Sequence, residues 1–109
     1  MSNYDESKDD ASSGYIYILS TRSYPKYLKI GMTNRSVETR VKEINSSTGV
    51  MIPFGIRASW KVDDAREVEQ DIHLLFQEYR VRDDREFFEL DYHKASNLIN
   101  DYLRRRRVT

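Results

Sequence analysis

The chain has 109 residues and a mass of 13.0 kDa, room for one domain. Lys plus Arg and Asp plus Glu both count 18, so the net charge is zero and a histone-like polycation is excluded. Cysteine is absent, which removes disulfides, thiolate metal sites and cysteine nucleophiles, and two histidines leave little for a multi-histidine zinc site. The apolar runs are too short for a membrane span and the acidic N-terminus does not read as a signal peptide. A soluble, cytoplasmic protein with no membrane association is expected.

The charge is unevenly placed. Residues 1–13 carry a net −3 and read as a disordered acidic lead. Arg104, Arg105, Arg106 and Arg107 form a basic tail over 104–109, leaving 14–103 as the ordered domain. A polyanionic partner would have to be met by a local patch.

In chain order, Tyr15–Leu19 and Tyr27–Gly31 are rich in β-formers. The turn-like segment from Ser20 to Lys26, which contains Pro25, joins them as an antiparallel hairpin. Ser36 is a good N-cap for a helix with the apolar stripe Val37, Val41 and Ile44. The segment Asn45 to Pro53 reads as a long loop suited to ligand contact. From Phe54 to Val62, Phe54, Ile56, Ala58, Trp60 and Val62 alternate with small or polar residues, the cleanest strand pattern in the chain. A second helix is predicted from Asp63 or Asp64, carrying Ala65, Val68, Ile72, Leu75, Phe76 and Tyr79. Residues 86–90 add a short strand or an irregular buried segment. A third helix starts near Asp91 and runs into the arginines. The pattern predicts a small α+β fold, a sheet layered with helices.

Four polar residues sit where a plain core would not put them. Alternation places Ile16, Ile18, Leu28 and Ile30 on one face of the hairpin, and Tyr15, Tyr17, Tyr27 and Lys29 on the other. An ammonium beside a phenol favours the phenolate, so on one reading Lys29 draws a tyrosine pKa down toward a general-base value. The bland alternative is a tyrosine-covered, half-exposed face with a snorkelling lysine. Arg40 lies about 70° from the centre of the first helix's stripe, flanking the buried side, where it acts as a clamp or merely snorkels. Glu69 lies about 70° from the centre of the second stripe. There it suits a single hard divalent cation or an ordinary ion pair. His73, one turn further on, reads as structural.

These residues carry a resemblance. Gly14-Tyr15-Ile16-Tyr17-Ile18-Leu19, Lys29-Ile30-Gly31-Met32-Thr33, Arg40, Ser47-Thr48-Gly49-Val50, Pro53-Phe54, Glu69 with His73, and Arg85-Glu86-Phe87-Phe88 follow one another in that order. The chain resembles the GIY-YIG nuclease superfamily, and more closely its phage-associated DNA-binding branch, grouped with the meiotically up-regulated fission-yeast proteins. The resemblance implies a three-stranded antiparallel sheet with flanking helices and phosphodiester cleavage with one divalent metal, Mg²⁺ or Mn²⁺. It sets Tyr17 at the GIY tyrosine, Arg40 at the family arginine and Glu69 at the metal-binding glutamate. Lys29 stands where the second motif has tyrosine. Arg85 or Glu86 occupies the region of the family's asparagine.

The expected function is therefore a DNA endonuclease using Tyr17, Lys29, Arg40 and Glu69, with Glu69 as metal ligand. The alternative is a non-catalytic DNA-binding module or phage effector on the same scaffold. Lys26, Arg35, Lys42 and Arg104–Arg107 are the expected DNA contacts. So short a chain has little surface left to read bases, so low specificity or a homodimer is expected.

Overall fold

The computed structural model describes residues 12–47, 52–81 and 86–108. Most of the acidic lead, Thr48, Gly49 and Val50 of the long loop, and Arg85 lie outside the described residues.

Strand β1 (Gly14–Ser20) pairs antiparallel with β2 (Tyr27–Thr33), joining Tyr17 to Gly31 and Ile18 to Ile30. The hairpin turn is fixed locally: the Tyr27 amide donates to the Tyr24 carbonyl at 3.1 Å, with Pro25 supplying the bend. Helix α1 (Val37–Asn45) starts on Ser36, whose hydroxyl accepts from the Thr39 amide at 3.1 Å. Such a cap stabilises a helix by about 1 kcal/mol. At the other end, Asn45 accepts from the Phe54 amide at 2.8 Å and donates to its carbonyl at 3.0 Å, closing the loop between them. Strand β3 (Gly55–Val62) then pairs with β1, and helix α2 (Ala65–Leu75) follows. After a 3₁₀ turn at Gln77–Tyr79 come β4 (Phe87–Glu89) and helix α3 (Tyr92–Val108). Asp91 caps α3 by accepting from the His93 and Lys94 amides.

The sheet has four strands in the order β3-β1-β2-β4, and every pairing is antiparallel. This corrects the three-stranded expectation. Residues 87–89 pair with 27–29, and Phe88 is fully buried opposite Leu28. An apolar side chain that bonds its backbone to β2 behaves as a strand, however short.

Both faces of the sheet are covered. Ile16, Ile18, Leu28 and Ile30 pack with Val68 and Ile72 of α2, with Phe76 just beyond it, and with Ala95 and Ile99 of α3. On the opposite face Tyr17 and Leu19 pack under Val37 and Val41 of α1. The face expected to be half exposed is thus a second small core, and Tyr17 is only 1% exposed.

Two local patterns also depart from the sequence reading. The alternation of β3 breaks at a bulge, where Ile18 pairs with Ala58 but Leu19 with Ile56. The extra residue, Arg57, turns its guanidinium over the Tyr92 ring at 4.3 Å. Helix α2 also stops at Leu75, short of the stripe that continues to Tyr79. Phe76 instead leaves the helical conformation and packs edge-on against Phe88 of β4. Among the described residues no helix is long and apolar enough to cross a membrane.

Candidate active site

The site is built on the edge of β2 beyond the point where β4 stops pairing. In an antiparallel strand alternate residues turn their amide and carbonyl outward. In β2 these are Leu28, Ile30 and Met32. Leu28 pairs with Phe88. The Ile30 amide donates to the Glu86 carbonyl at 3.0 Å, and His73 Nε2 donates to the Ile30 carbonyl at 2.8 Å. A carbonyl only accepts, so His73 carries its proton on Nε2. The Met32 amide donates to the Glu69 carboxylate. Side chains one turn apart on α2 therefore finish a sheet edge that β4 leaves open.

On the α1 face, Tyr17 lies across Gly31. A Cβ at residue 31 would stand 2.7 Å from the Tyr17 hydroxyl and 2.9 Å from Cζ, so a side chain there would displace the phenol. The Arg40 guanidinium donates to the Tyr17 oxygen and reaches Glu43 Oε1 at 3.5 Å. Glu43 in turn accepts from Arg35 at 2.8 Å. These two arginines hold the Glu43 carboxyl below its usual range.

Burial pushes the Tyr17 phenol above its ordinary value; the Arg40 bond and charge oppose this, while the negative charges of Glu86 and Glu69 add to it. The expectation of a lowered tyrosine pKa is thus overturned. Burial outweighs the adjacent cation, and that cation is Arg40. Lys29 is committed elsewhere: its Nζ donates to Glu86 Oε1 at 2.7 Å and sits 5.0 Å from the centre of the Phe87 ring. Burial also raises the Glu69 carboxyl; His73, the Met32 amide and Arg66 oppose this, and Glu86 adds to it.

Tyr17 and Arg40 thus meet over Gly31 of β2, Glu69 reaches the open edge of that strand at Met32, and Lys29 joins them through Glu86. The expected DNA contacts are not gathered into one patch. Lys26 is exposed in the hairpin turn, and Arg35 and Lys42 are exposed at α1. Arg104–Arg107 form the last turns of α3, in the layer on the opposite face of the sheet. Arg104 pairs with Asp101, and Arg106 lies 3.7 Å from both Asp64 and Glu67. Gly31, Glu43 and Glu86 were missed as site residues. The Gly in KIG was a usable signal for a close approach, whereas the partner of Lys29 lies 57 residues away and leaves no local pattern.

A half-buried carboxylate whose ionisation is resisted by burial and by a second carboxylate is a place where positive charge is favoured. Mg²⁺ and Mn²⁺ are commonly held by one or two carboxylates, with water and substrate phosphate completing the shell. Glu69 supplies one such carboxylate, and among the described residues no group of three or more His, Cys, Asp or Glu side chains gathers as a metal site.

These features define a small α+β protein with a charged site on the edge of an antiparallel sheet. The chain belongs to the T5orf172 domain family, which matches residues 14–103 and so takes in every residue of the site. The family is phage-associated and consistent with a nuclease or DNA-binding role. No curated protein and no solved structure matches the chain.

Proposed function

We propose that the protein is a divalent-metal-dependent DNA endonuclease of the GIY-YIG type. The observation that carries this reading is the Tyr17 phenol, laid over Gly31 and bonded to Arg40, with Glu69 on the edge of the same strand. Glu69 would hold the metal, which supplies charge stabilisation at the phosphate oxygens and a more acidic bound water.

The remaining steps belong to the chain's own residues. Arg40 faces the transferring phosphate and neutralises charge as it builds. Tyr17, a neutral phenol at physiological pH, accepts from Arg40 and uses its own O–H to orient the attacking water or a phosphate oxygen. Its task is alignment for in-line attack rather than proton abstraction as a phenolate. Lys29 sets the charge of the site by compensating Glu86.

Supercoiled plasmid incubated with Mn²⁺ tests the reading. Nicked or linear product that disappears with chelator and in Glu69→Gln is expected. DNA retained equally well with and without metal, with no product in either, would instead make the chain a DNA-binding module.

A further inference from the structure

Outside this site, the most exposed aromatic surface among the described residues is a tyrosine pair at the hairpin tip. Tyr24 is 61% exposed and Tyr27 41%, and their rings stack with centroids 5.9 Å apart and planes 25° from parallel. The stack is organised by the backbone. The two residues are the first and last of the Pro25 turn, closed by the Tyr27 amide on the Tyr24 carbonyl, and the Tyr24 amide donates to Thr21 Oγ1 at 3.3 Å. Exposed aromatic rings without such a frame would turn freely. These two pack on each other and still leave much of their surface exposed.

The charge around the pair is positive. Residues 20–27 contain Arg22 and Lys26 and no acid. Both cations are exposed, and among the described residues neither makes an ion pair. Glu89, opposite Tyr27 in the register, is the acidic neighbour that the pairing supplies. An aromatic face beside two free cations matches the chemistry of a nucleobase with its phosphates, since stacking takes the base and the cations take the backbone.

Position ties the pair to the site. Tyr27, Lys29 and Gly31 alternate along β2 and share the face that carries Tyr17. Tyr27 is four residues from Gly31, about 13 Å along the strand. At about 3.4 Å per stacked nucleotide, that span is roughly four nucleotides.

We propose that Tyr24 and Tyr27 form a stacking platform for an unpaired base of the DNA substrate, so that the protein prefers DNA with a single-stranded stretch roughly four nucleotides from the phosphate at Tyr17. The proposal rests on the nucleic-acid reading of the site but not on cleavage. A base inside a duplex keeps its faces covered by its neighbours, so only an unpaired base can use the platform.

The test measures binding of the full chain in chelator to three labelled DNAs: a blunt duplex, the same duplex with a single-stranded overhang, and that overhang with abasic sites. Tighter binding of the overhang than of the other two is expected. Tyr24→Ala should weaken overhang binding about tenfold and leave the blunt duplex unchanged, while Tyr24→Phe should keep the preference. Equal affinity for all three DNAs, or equal loss in Tyr24→Ala on all three, overturns the platform while leaving DNA binding intact. Absence of binding to any of them overturns the nucleic-acid reading itself.

Discussion

Lys29 donates to Glu86 at 2.7 Å with its side chain 14% exposed, so this cation serves a carboxylate and not the Tyr17 phenol. Glu86 is the common neighbour of the site, since its charge acts on Tyr17, Arg40 and Glu69. Lysine here keeps a negative group from being left uncompensated between the Tyr17 phenol and the Glu69 carboxylate.

Lys29→Met should therefore lower cleavage by about 10- to 100-fold, the size of effect that follows loss of a residue outside the ligands of a metal site, with a smaller loss of DNA affinity. Adding Glu86→Gln removes the exposed charge and should restore part of the activity. Single-turnover rates and binding isotherms for the two variants check this. A double variant no better than the single one, or equal losses in rate and affinity, would make Lys29 a direct phosphate contact.

Gly31 stands against Tyr17 so closely that a single methyl is disruptive. In Gly31→Ala the new carbon meets the phenol at 2.7–3.1 Å, and the ring must leave its place under α1. Overpacking of this kind costs about 1–3 kcal/mol. Urea denaturation should show that loss, and the displaced phenol should lower cleavage further than the loss of folded protein explains. Wild-type rates in a fully folded Gly31→Ala would remove Tyr17 from the reaction.

The difference between these two relationships explains what the sequence reveals. Period-2 alternation sorts Ile16, Ile18, Leu28 and Ile30 onto one face because it is local, and Ser36 marks its helix for the same reason. Arg40 and Glu69 stand out because each lies at the margin of an apolar stripe. The β3 bulge at Arg57 is invisible because either register satisfies the alternation; the choice is made by β1 and by the ring of Tyr92. The early end of α2 is set by Phe88, a residue twelve positions beyond Phe76. The tyrosine pKa went the wrong way because composition shows the cation but not the burial.

Glu69 links pH to stability. Its carboxyl is raised above the ordinary 4.5, first by burial. A raised carboxyl favours the fold fully below the unfolded-state value, and this contribution is lost as pH climbs through the folded value. In chelator, Glu69→Gln should melt with the wild type in acid, then at higher temperature once pH passes the raised value. Mn²⁺ should reverse the order at neutral pH, because it stabilises only a chain that can bind it. Thermal melts with and without Mn²⁺ measure both effects. A Mn²⁺ shift that survives in Glu69→Gln would place the metal elsewhere.

Arg40→Lys keeps the charge but loses the planar fork that reaches Tyr17 and Glu43 together. A lost electrostatic stabiliser of the transition state costs about 10²–10³ in rate. Cleavage should fall by that order while DNA affinity changes little, a split that rate and binding measurements on one preparation would reveal. Comparable losses in both would mark Arg40 as a ground-state phosphate contact.

The four arginines at the end of α3 should not contribute equally to DNA affinity. Arg104 is paired with Asp101, and Arg106 lies between Asp64 and Glu67, so recruiting either to a phosphate first gives up an internal partner. Arg105 and Arg107 are exposed and, among the described residues, make no ion pair. Each phosphate neutralised on duplex DNA contributes about 0.9 to the slope of log affinity against log salt. Replacing Arg105 and Arg107 with Gln should flatten that slope by about two, and replacing Arg104 and Arg106 should change it much less. Affinities measured across a salt series for the two double variants separate the pairs. An unchanged slope in both would mean that α3 does not touch nucleic acid, leaving Lys26 in the hairpin turn and Arg35 and Lys42 at α1 to meet the backbone.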